Sequence, residues 1–468
     1  VHALSDGRIL AGIRLNHSVG GDLTGFVRYS GRGEVDTTFG TLGNSIIDWY
    51  PNESQIVSQL GVDRLGRIIA TASLYEATGN DWGLAVLTAS GIQDSTFDQD
   101  GVMSIVYPGN GYAADFAVDT DNNIVVTGNV LGSNGAPCPC AIRLTRFSPD
   151  GTPDNTLSVD FNGYLFPSLT ADAQGRIVIA APFFSSPTQR AVWRRLPSGA
   201  ADTTFSGDGM MTDTIPGTFW VRAKTQSDNK IVLITSESSP TFYVSRYTTT
   251  GELDLSYGAS GRTTITVGAS PADALQYSMV DSQDRVLLLS YVSRPSSGYD
   301  IVLVRLTSAG IPDPTFGVNG VMNLGPTIGS VPERPSYFAE MPDGDLVILA
   351  ILNSGLSLIR LDLGDPPETI LNPGFETADS SQAGNAQKWT GANLTKDKRT
   401  CNTISPPVNY SHTGNCAFLF KGGSGEKSQI SQTIKPDAAL RQAGTALTLS
   451  AWVEGAPNYV LGKVVVYY

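Results

Sequence analysis

The sequence predicts an all-β protein, a seven-bladed β-propeller followed by a second, smaller β domain. Three observations predict it. An eight-residue phrase, DTTFGTLG (36–43), returns as DSTFDQDG (94–101), DTTFSGDG (202–209), DLSYGASG (254–261) and DPTFGVNG (313–320), with a worn copy, DNTLSVDFNG, at 154–163. A turn followed by an apolar strand occurs seven times. Composition then shifts at GDPPET (364–369), where the repeat stops.

The turn–strand element reads SDGRILAG, RLGRIIAT, TDNNIVVT, AQGRIVIA, SDNKIVLI, SQDRVLLL and PDGDLVIL. Its turn position holds Gly7, Gly66, Asn122, Gly175, Asn229, Asp284 and Gly344. All seven are residue types that tolerate positive φ in a tight hairpin. The spacing averages about 56 residues along the chain, a period that marks a repeat architecture. PSYFAEMP (335–342) and its equivalents form a first strand, VLLLSYV a second, buried one and DIVLVRLTS a third. The phrase then turns the chain, and VMNL begins a fourth. Four short antiparallel strands per unit describe a propeller blade. The last unit has three strands, ending near LSLIRLDL (356–363), and the first begins inside its first strand at VHAL. A stretch upstream of Val1 is therefore expected to complete the last blade.

Within the phrase, the Asp and the Thr or Ser suit a capped turn. The aromatic residue (Phe39, Phe97, Phe205, Tyr257, Phe316) is expected to wedge between neighbouring blades. The closing glycine permits an unusual backbone angle. Arg28, Arg146, Arg246 and Arg305 lie eight residues before the phrase's Asp. Blade two has Val86 there, and in blade four Arg195 is read as the partner. An Arg–Asp pair across the turn follows. Calcium on Asp98 with Asp100, or Asp119 with Asp121, is the alternative use of these turns; neither pair has a full oxygen ligand set at fixed spacing.

Bulk properties exclude several classes. The 468 residues carry a formal net charge of −13, which repels phosphate backbones and argues against nucleic acid as a partner. No apolar run is long enough to predict a membrane span. The three histidines, His2, His17 and His412, are scattered, which speaks against His-based triads and metal sites. No phosphate-binding loop or nucleotide fingerprint is present. A glycosidase needs only two carboxylates, but no motif marks such a pair, and the chain reads as non-catalytic. Cys401 and Cys416 close a short segment and read as a disulfide, which points to an oxidising compartment. Cys138 and Cys140 are too close in sequence for an unstrained bridge; free thiols or a link to another chain are the readings left. Sequons at Asn16, Asn52, Asn393 and Asn409 fit an extracellular setting.

The turn, the Arg, DTTFG and the closing Gly, in that order over residues 1 to about 364, resemble the delta-60 repeat family of bacterial extracellular proteins. Blade three departs from that pattern at Leu157 and in the longer gap to Gly163. The resemblance implies a secreted or cell-surface propeller and brings no catalytic residues. After a linker at 365–370, residues 371–468 carry ILNPGFET, Trp389, SQISQTI, LTLSAWVEG and KVVVYY. This order is similar to the galactose-binding-like carbohydrate-binding modules, which implies a β-sandwich of jelly-roll type. In such modules the Glu of the N-x-G-F-E phrase helps to hold a structural calcium, here Glu376 with Asn372 nearby; the other reading is a polar pair at a strand end. Trp389, Tyr410, Trp452 and Tyr459 are the candidate sugar platforms, with core or linker packing as the alternative, above all for Trp452. A jelly roll has about eight strands, and five or six are visible here. The remainder is expected from further sequence or from a neighbouring subunit, since KVVVYY would not be left bare.

Two functions are therefore expected. One is a surface protein that binds a glycan or cell-surface polymer. The other is a structural subunit of an extracellular fibre or sheath, self-associating through exchanged strands. Function is sought on the loops that break the repeat, 16–25, 130–140 and 293–299, and on the C-terminal domain.

Overall fold

A computed structural model describes residues 1–16, 22–31, 33–49, 54–76, 79–106, 110–131, 141–183, 185–215, 221–236, 241–268, 274–294, 298–325, 337–352, 355–361 and 363. Beyond these it describes 390–392, 398–401, 403–404, 407–408, 416–419 and 429–431. The chain divides into two compact units, Val1–Asp362 and Leu363–Tyr468.

The first unit is a seven-bladed β-propeller. Blade one is β1 (His2–Ala3), β2 (Ile9–Asn16), β3 (Asp22–Tyr29) and β4 (Asn44–Ile47). Blade two is β5 (Ser54–Val62), β6 (Ile68–Glu76), β7 (Gly79–Leu87) and β8 (Val102–Ile105). Blade three is β9 (Asn110–Val118), β10 (Ile124–Leu131), β11 (Ala141–Phe147) and β12 (Pro153–Asn162). Blade four is β13 (Ser168–Ala171), β14 (Ile177–Phe183), β15 (Ser186–Arg195) and β16 (Met210–Thr214). Blade five is β17 (Val221–Thr225), β18 (Ile231–Ser236), β19 (Thr241–Tyr247) and β20 (Arg262–Thr266). Blade six is β21 (Ala274–Val280), β22 (Val286–Ser293), β23 (Tyr299–Leu306) and β24 (Val321–Asn323). Blade seven has three strands among the described residues, β25 (Tyr337–Glu340), β26 (Leu346–Leu352) and β27 (Gly355–Leu361). Every blade is an antiparallel meander in chain order. From β5 to β25 the first strands of successive blades lie side by side, β5 lies against β2 and β3 of blade one, and β1 lies beside β25 where the ring closes.

Burial follows the strand's place in the blade. The second strands are mostly apolar and buried on both faces, as in Ile231–Ser236, because each is covered by the blades on either side. The fourth strands are less buried, and in Asn44–Ile47 and Arg262–Thr266 buried positions alternate with more exposed ones, because only one face meets a neighbour. All seven predicted turn residues have positive φ, from 61° at Asp284 to 85° at Gly344.

Blade three explains its own irregular spelling. Its phrase is drawn out into β12, and Leu157 takes the buried wedge position. Phe161, four residues later, stacks on Trp193 with ring centroids 4.4 Å apart and sits under Arg195. The ring lost at Leu157 is therefore replaced four residues, two repeats of the pleat, further on.

The second unit contains β28 (Thr390–Ala392), β29 (Lys398–Cys401), β30 (Thr403–Ile404), β31 (Pro407–Val408), β32 (Cys416–Leu419) and β33 (Gln429–Ser431). These pair as β28–β33, β29–β32 and β30–β31, and the register of β29 with β32 sets Cys401 opposite Cys416. Asn372, Glu376, Trp389, Tyr410, Trp452 and Tyr459 lie outside the described residues, as do Cys138 and Cys140, and the repeat-breaking loops 16–25, 130–140 and 293–299 lie wholly or partly outside them.

Candidate functional site: the blade joints and the axial ring

Two sets of polar side chains stand out in the propeller. The first is the recurring phrase. In blade five, Arg246 Nε donates to Asp254 at 2.9 Å, Nη2 donates to Ser256 and Nη1 donates to the Ser308 carbonyl of blade six at 2.7 Å. The guanidinium lies 4.6 Å over the Tyr257 ring. Arg28, Arg146 and Arg194 repeat the ion pair and donate to Ala89, Pro197 and Thr249 of the following blade. The wedge residue packs on the next blade's turn glycine. A Cβ on Gly310 would meet Tyr257 at 2.4 Å, and one on Gly91 would meet Phe39 at 2.5 Å. Backbone bonds finish the joint, such as Gly258 N to Ala309 O at 2.9 Å and Ser206 N to Thr250 O at 2.8 Å. The phrase is therefore a blade-to-blade joint.

The structure corrects two points of the sequence reading. In blade four the partner of Asp202 is Arg194, at 2.7 Å, and not Arg195, whose guanidinium faces Phe161. Alternation along β15 sends adjacent arginines to opposite faces, and only Arg194 has the eight-residue offset. In blade two, where Val86 offers no charge, Arg67 from the preceding hairpin reaches Asp94 at 3.3 Å and the Pro149 carbonyl of blade three at 2.9 Å. Arg8 and Lys230, at the same hairpin position, pair with Asp36 and Asp254 as a second clamp. The recurring Arg or Lys after the hairpin turn was the signal for this clamp.

The joint carboxyls titrate low. Burial works to raise Asp254, but the Ser256 hydroxyl and amide, Arg246 and Lys230 outweigh it and bring it to about 2. For Asp36 the Thr38 hydroxyl leads, with Arg8 and Arg28 adding to it. Asp98, Asp100, Asp119 and Asp121 build no calcium cage: among the described residues no three or more His, Cys, Asp or Glu side chains group around a common point. Asp119 instead caps its own hairpin, accepting from the Asp121 and Asn123 amides.

The second set surrounds the axis, and the sequence reading did not single it out. Four residues before the turn-opening position of blades two to seven stand Gln59, Asp115, Ser168, Arg222, Tyr277 and Tyr337. These side chains meet around the ring. Gln59 Nε2 donates to Tyr277 Oη at 3.4 Å, from blade two to blade six. Tyr337 Oη donates to the Ser58 carbonyl at 3.1 Å, and the Tyr277 and Tyr337 rings meet edge to face at 5.1 Å. Asp115 and Ser168 accept from the Leu169 and Ala223 amides of the next first strand.

Local backbone geometry aims this ring. In β5, β9 and β21 the pairing with the second strand slips just before Gln59, Asp115 and Tyr277, leaving Ser58, Ala114 and Gln276 as the extra residues. A bulge bends its strand and re-aims the following side chain. It also frees a carbonyl from the ladder, and Tyr337 uses the one at Ser58.

Beside the ring lies an open cavity of about 390 Å³. Its walls combine Val62, Phe116 and Leu169 with Gln59, Asp115 and Lys224. Asp115 is buried, and that burial pushes its carboxyl up, against the pull of Lys224, the Leu169 amide and Arg222. The Lys224 ammonium stands 5.7 Å from the Tyr277 ring centroid.

Comparison with known proteins bears on the fold. Residues 226–257, which run from the hairpin to the wedge of blade five, match a family model described as "Domain of unknown function (DUF5122) beta-propeller". Sequence and fold agree on a propeller. No protein of curated function matches the chain. Among solved structures, one similar chain is a protein of unknown function from Dyadobacter fermentans DSM 18053, at 13% identity and a TM-score of 0.41, covering 65% of this chain and 92% of that one. Two chains named glucose dehydrogenase align at 13% and 14% identity, each with a TM-score of 0.36, over 66% of this chain and 99% and 98% of theirs. At these values the likeness carries no argument about activity.

Proposed function

We propose that the protein is a non-catalytic binding protein of the cell surface or extracellular space, in which the propeller is a rigid scaffold and the ligand is a glycan. The observation that carries this reading is how the charged residues are distributed. The recurring Arg, Asp and aromatic side chains are committed to blade joints, and the polar groups that converge on an open cavity are the non-recurring ones at the axis. Tyrosine rings beside amide, carboxylate and ammonium groups suit a hydroxylated ligand. The resemblance of residues 371–468 to carbohydrate-binding modules supports the same ligand class, with Trp389, Tyr410, Trp452 and Tyr459 as its platforms and Asn372 with Glu376 as a calcium pair. Probing the full chain on a glycan array, with and without chelator, tests this. Saturable binding to a defined glycan set is expected, and a blank array from folded protein would remove the reading.

A second reading, a structural subunit assembled by strand exchange, draws on blade seven, where β27 is the outermost strand among the described residues. Electron microscopy of purified protein would reveal fibres if it holds and single particles if it does not.

A further inference from the structure

We infer that the axial recess is a binding site for a small hydroxylated carboxylate of the uronic-acid class, with Lys224 as the group that takes the carboxylate. The inference takes its ligand class from the glycan reading above, while the site itself stands on the geometry of the recess.

Lys224 departs from most of the cationic side chains in its use and, unlike Arg195, stands on the wall of the cavity. Most at the hairpins and third strands are held by carboxylates, as Arg28, Arg194, Arg246, Arg285 and Arg305 are, while Arg64 and Arg190 donate to carbonyls and Arg195 lies over Phe161. Among the described residues Lys224 makes no ion pair; its ammonium lies over the Tyr277 ring and acts on Asp115 only from across the cavity. It also breaks the repeat. Two residues before the turn-opening position blades two, three, four, six and seven carry Gly61, Ala117, Thr170, Met279 and Ala339, none of which bears a charge, and blade one carries His2, which burial lowers to about 4 and so keeps neutral near pH 7. A cation placed once in seven repeats, half-buried on the wall of a cavity, is not explained by blade packing.

The remaining groups of the recess specify more than charge. Asp115 faces the same cavity, and each of its oxygens already accepts a backbone amide, from Phe116 and from Leu169. It is thus fixed in place and retains lone pairs for a ligand hydroxyl. Tyr277 Oη accepts from Gln59, so its own proton points elsewhere and is available to an acceptor. One ammonium, one anchored carboxylate and one phenol proton on a partly apolar wall fit a ring that bears hydroxyls and a carboxylate. A cavity of about 390 Å³ has room for a sugar ring. The molecule's net charge of −13 opposes anions at long range, so the contact has to be short and salt-sensitive.

The test is calorimetric titration of the full chain with glucuronate, glucose and acetate, on the natural protein and on Lys224→Met and Lys224→Arg. Methionine keeps the apolar stem over Tyr277 and removes the charge. Saturable glucuronate binding is expected, weakened about tenfold or more by Lys224→Met and largely kept by Lys224→Arg. Glucose and acetate are each expected to bind more weakly, because each lacks half of the recognised groups. Glucuronate binding that is indifferent to Lys224→Met, or absent altogether, overturns the site. Acetate binding as well as glucuronate overturns the sugar assignment. A protein that fails with glucuronate yet binds a neutral glycan on the array loses this inference and keeps the function proposed above.

Discussion

The blade joint and the axial ring occupy the two ends of one repeat, and they are written in opposite ways. At the joint, Arg, Asp, Thr or Ser, an aromatic ring and Gly recur in blades one, four, five and six, and each does the same thing in the same place. At the axis, one structural position reads Gln, Asp, Ser, Arg, Tyr and Tyr. Identical residues at identical places are what a ring of equivalent interfaces demands. Different residues at one place are what an asymmetric ligand demands. On the proposed function, recurrence marks stability and the non-recurring residues that line the cavity mark the ligand.

Acid should break the joints together, which makes it the largest expected effect. The joint carboxyls are held below their ordinary values. The stability they contribute is fully present above about pH 4. It is lost as pH falls through the folded values, about 2 for Asp254. Near-UV circular dichroism between pH 5 and pH 2 is expected to show cooperative loss of tertiary signal; a flat profile would mean that the joints are dispensable.

A single joint is tested by Arg194→Met. It strands the buried Asp202 and removes the bond to the Thr249 carbonyl, and a loss of about 3–5 kcal/mol is expected in urea unfolding. Glycines separate the two roles more finely. Gly310→Ala drives a Cβ into Tyr257 at 2.4 Å in addition to its positive φ, whereas Gly7→Ala meets nothing within 4 Å. Thermal melting should show a cost of about 1 kcal/mol at Gly7 and a clearly larger one at Gly310. At the axis, Tyr337→Phe removes one hydrogen bond, to Ser58, and is expected to cost about 1 kcal/mol.

Much of this architecture was legible in the sequence, for physical reasons. Positive φ restricts a hairpin position to Gly, Asn or Asp, so the seven turns could be counted from residue type. The wedge could be read because a large aromatic at constant spacing has few other uses. The second clamp at Arg67 and Lys230 was overlooked because its partner lies in the phrase beyond the third strand, at a separation that varies. Arg195 was mistaken for Arg194 because two adjacent arginines differ only in the face they address. The axial ring was hidden more deeply. Its side chains share a register with the turn but not a residue type, and the bulges that aim Gln59, Asp115 and Tyr277 add one residue without a compositional mark.

The central claim, that recurring residues hold the ring together while non-recurring ones face the ligand, is tested most directly by melting Arg194→Met and Lys224→Met side by side, with and without glucuronate. The account predicts a large loss of stability for Arg194→Met with its ligand-induced shift retained. For Lys224→Met it predicts stability within about 0.5 kcal/mol of the natural protein and no ligand-induced shift. A destabilised Lys224→Met that still responds to glucuronate, or an Arg194→Met as stable as the natural protein, would contradict it.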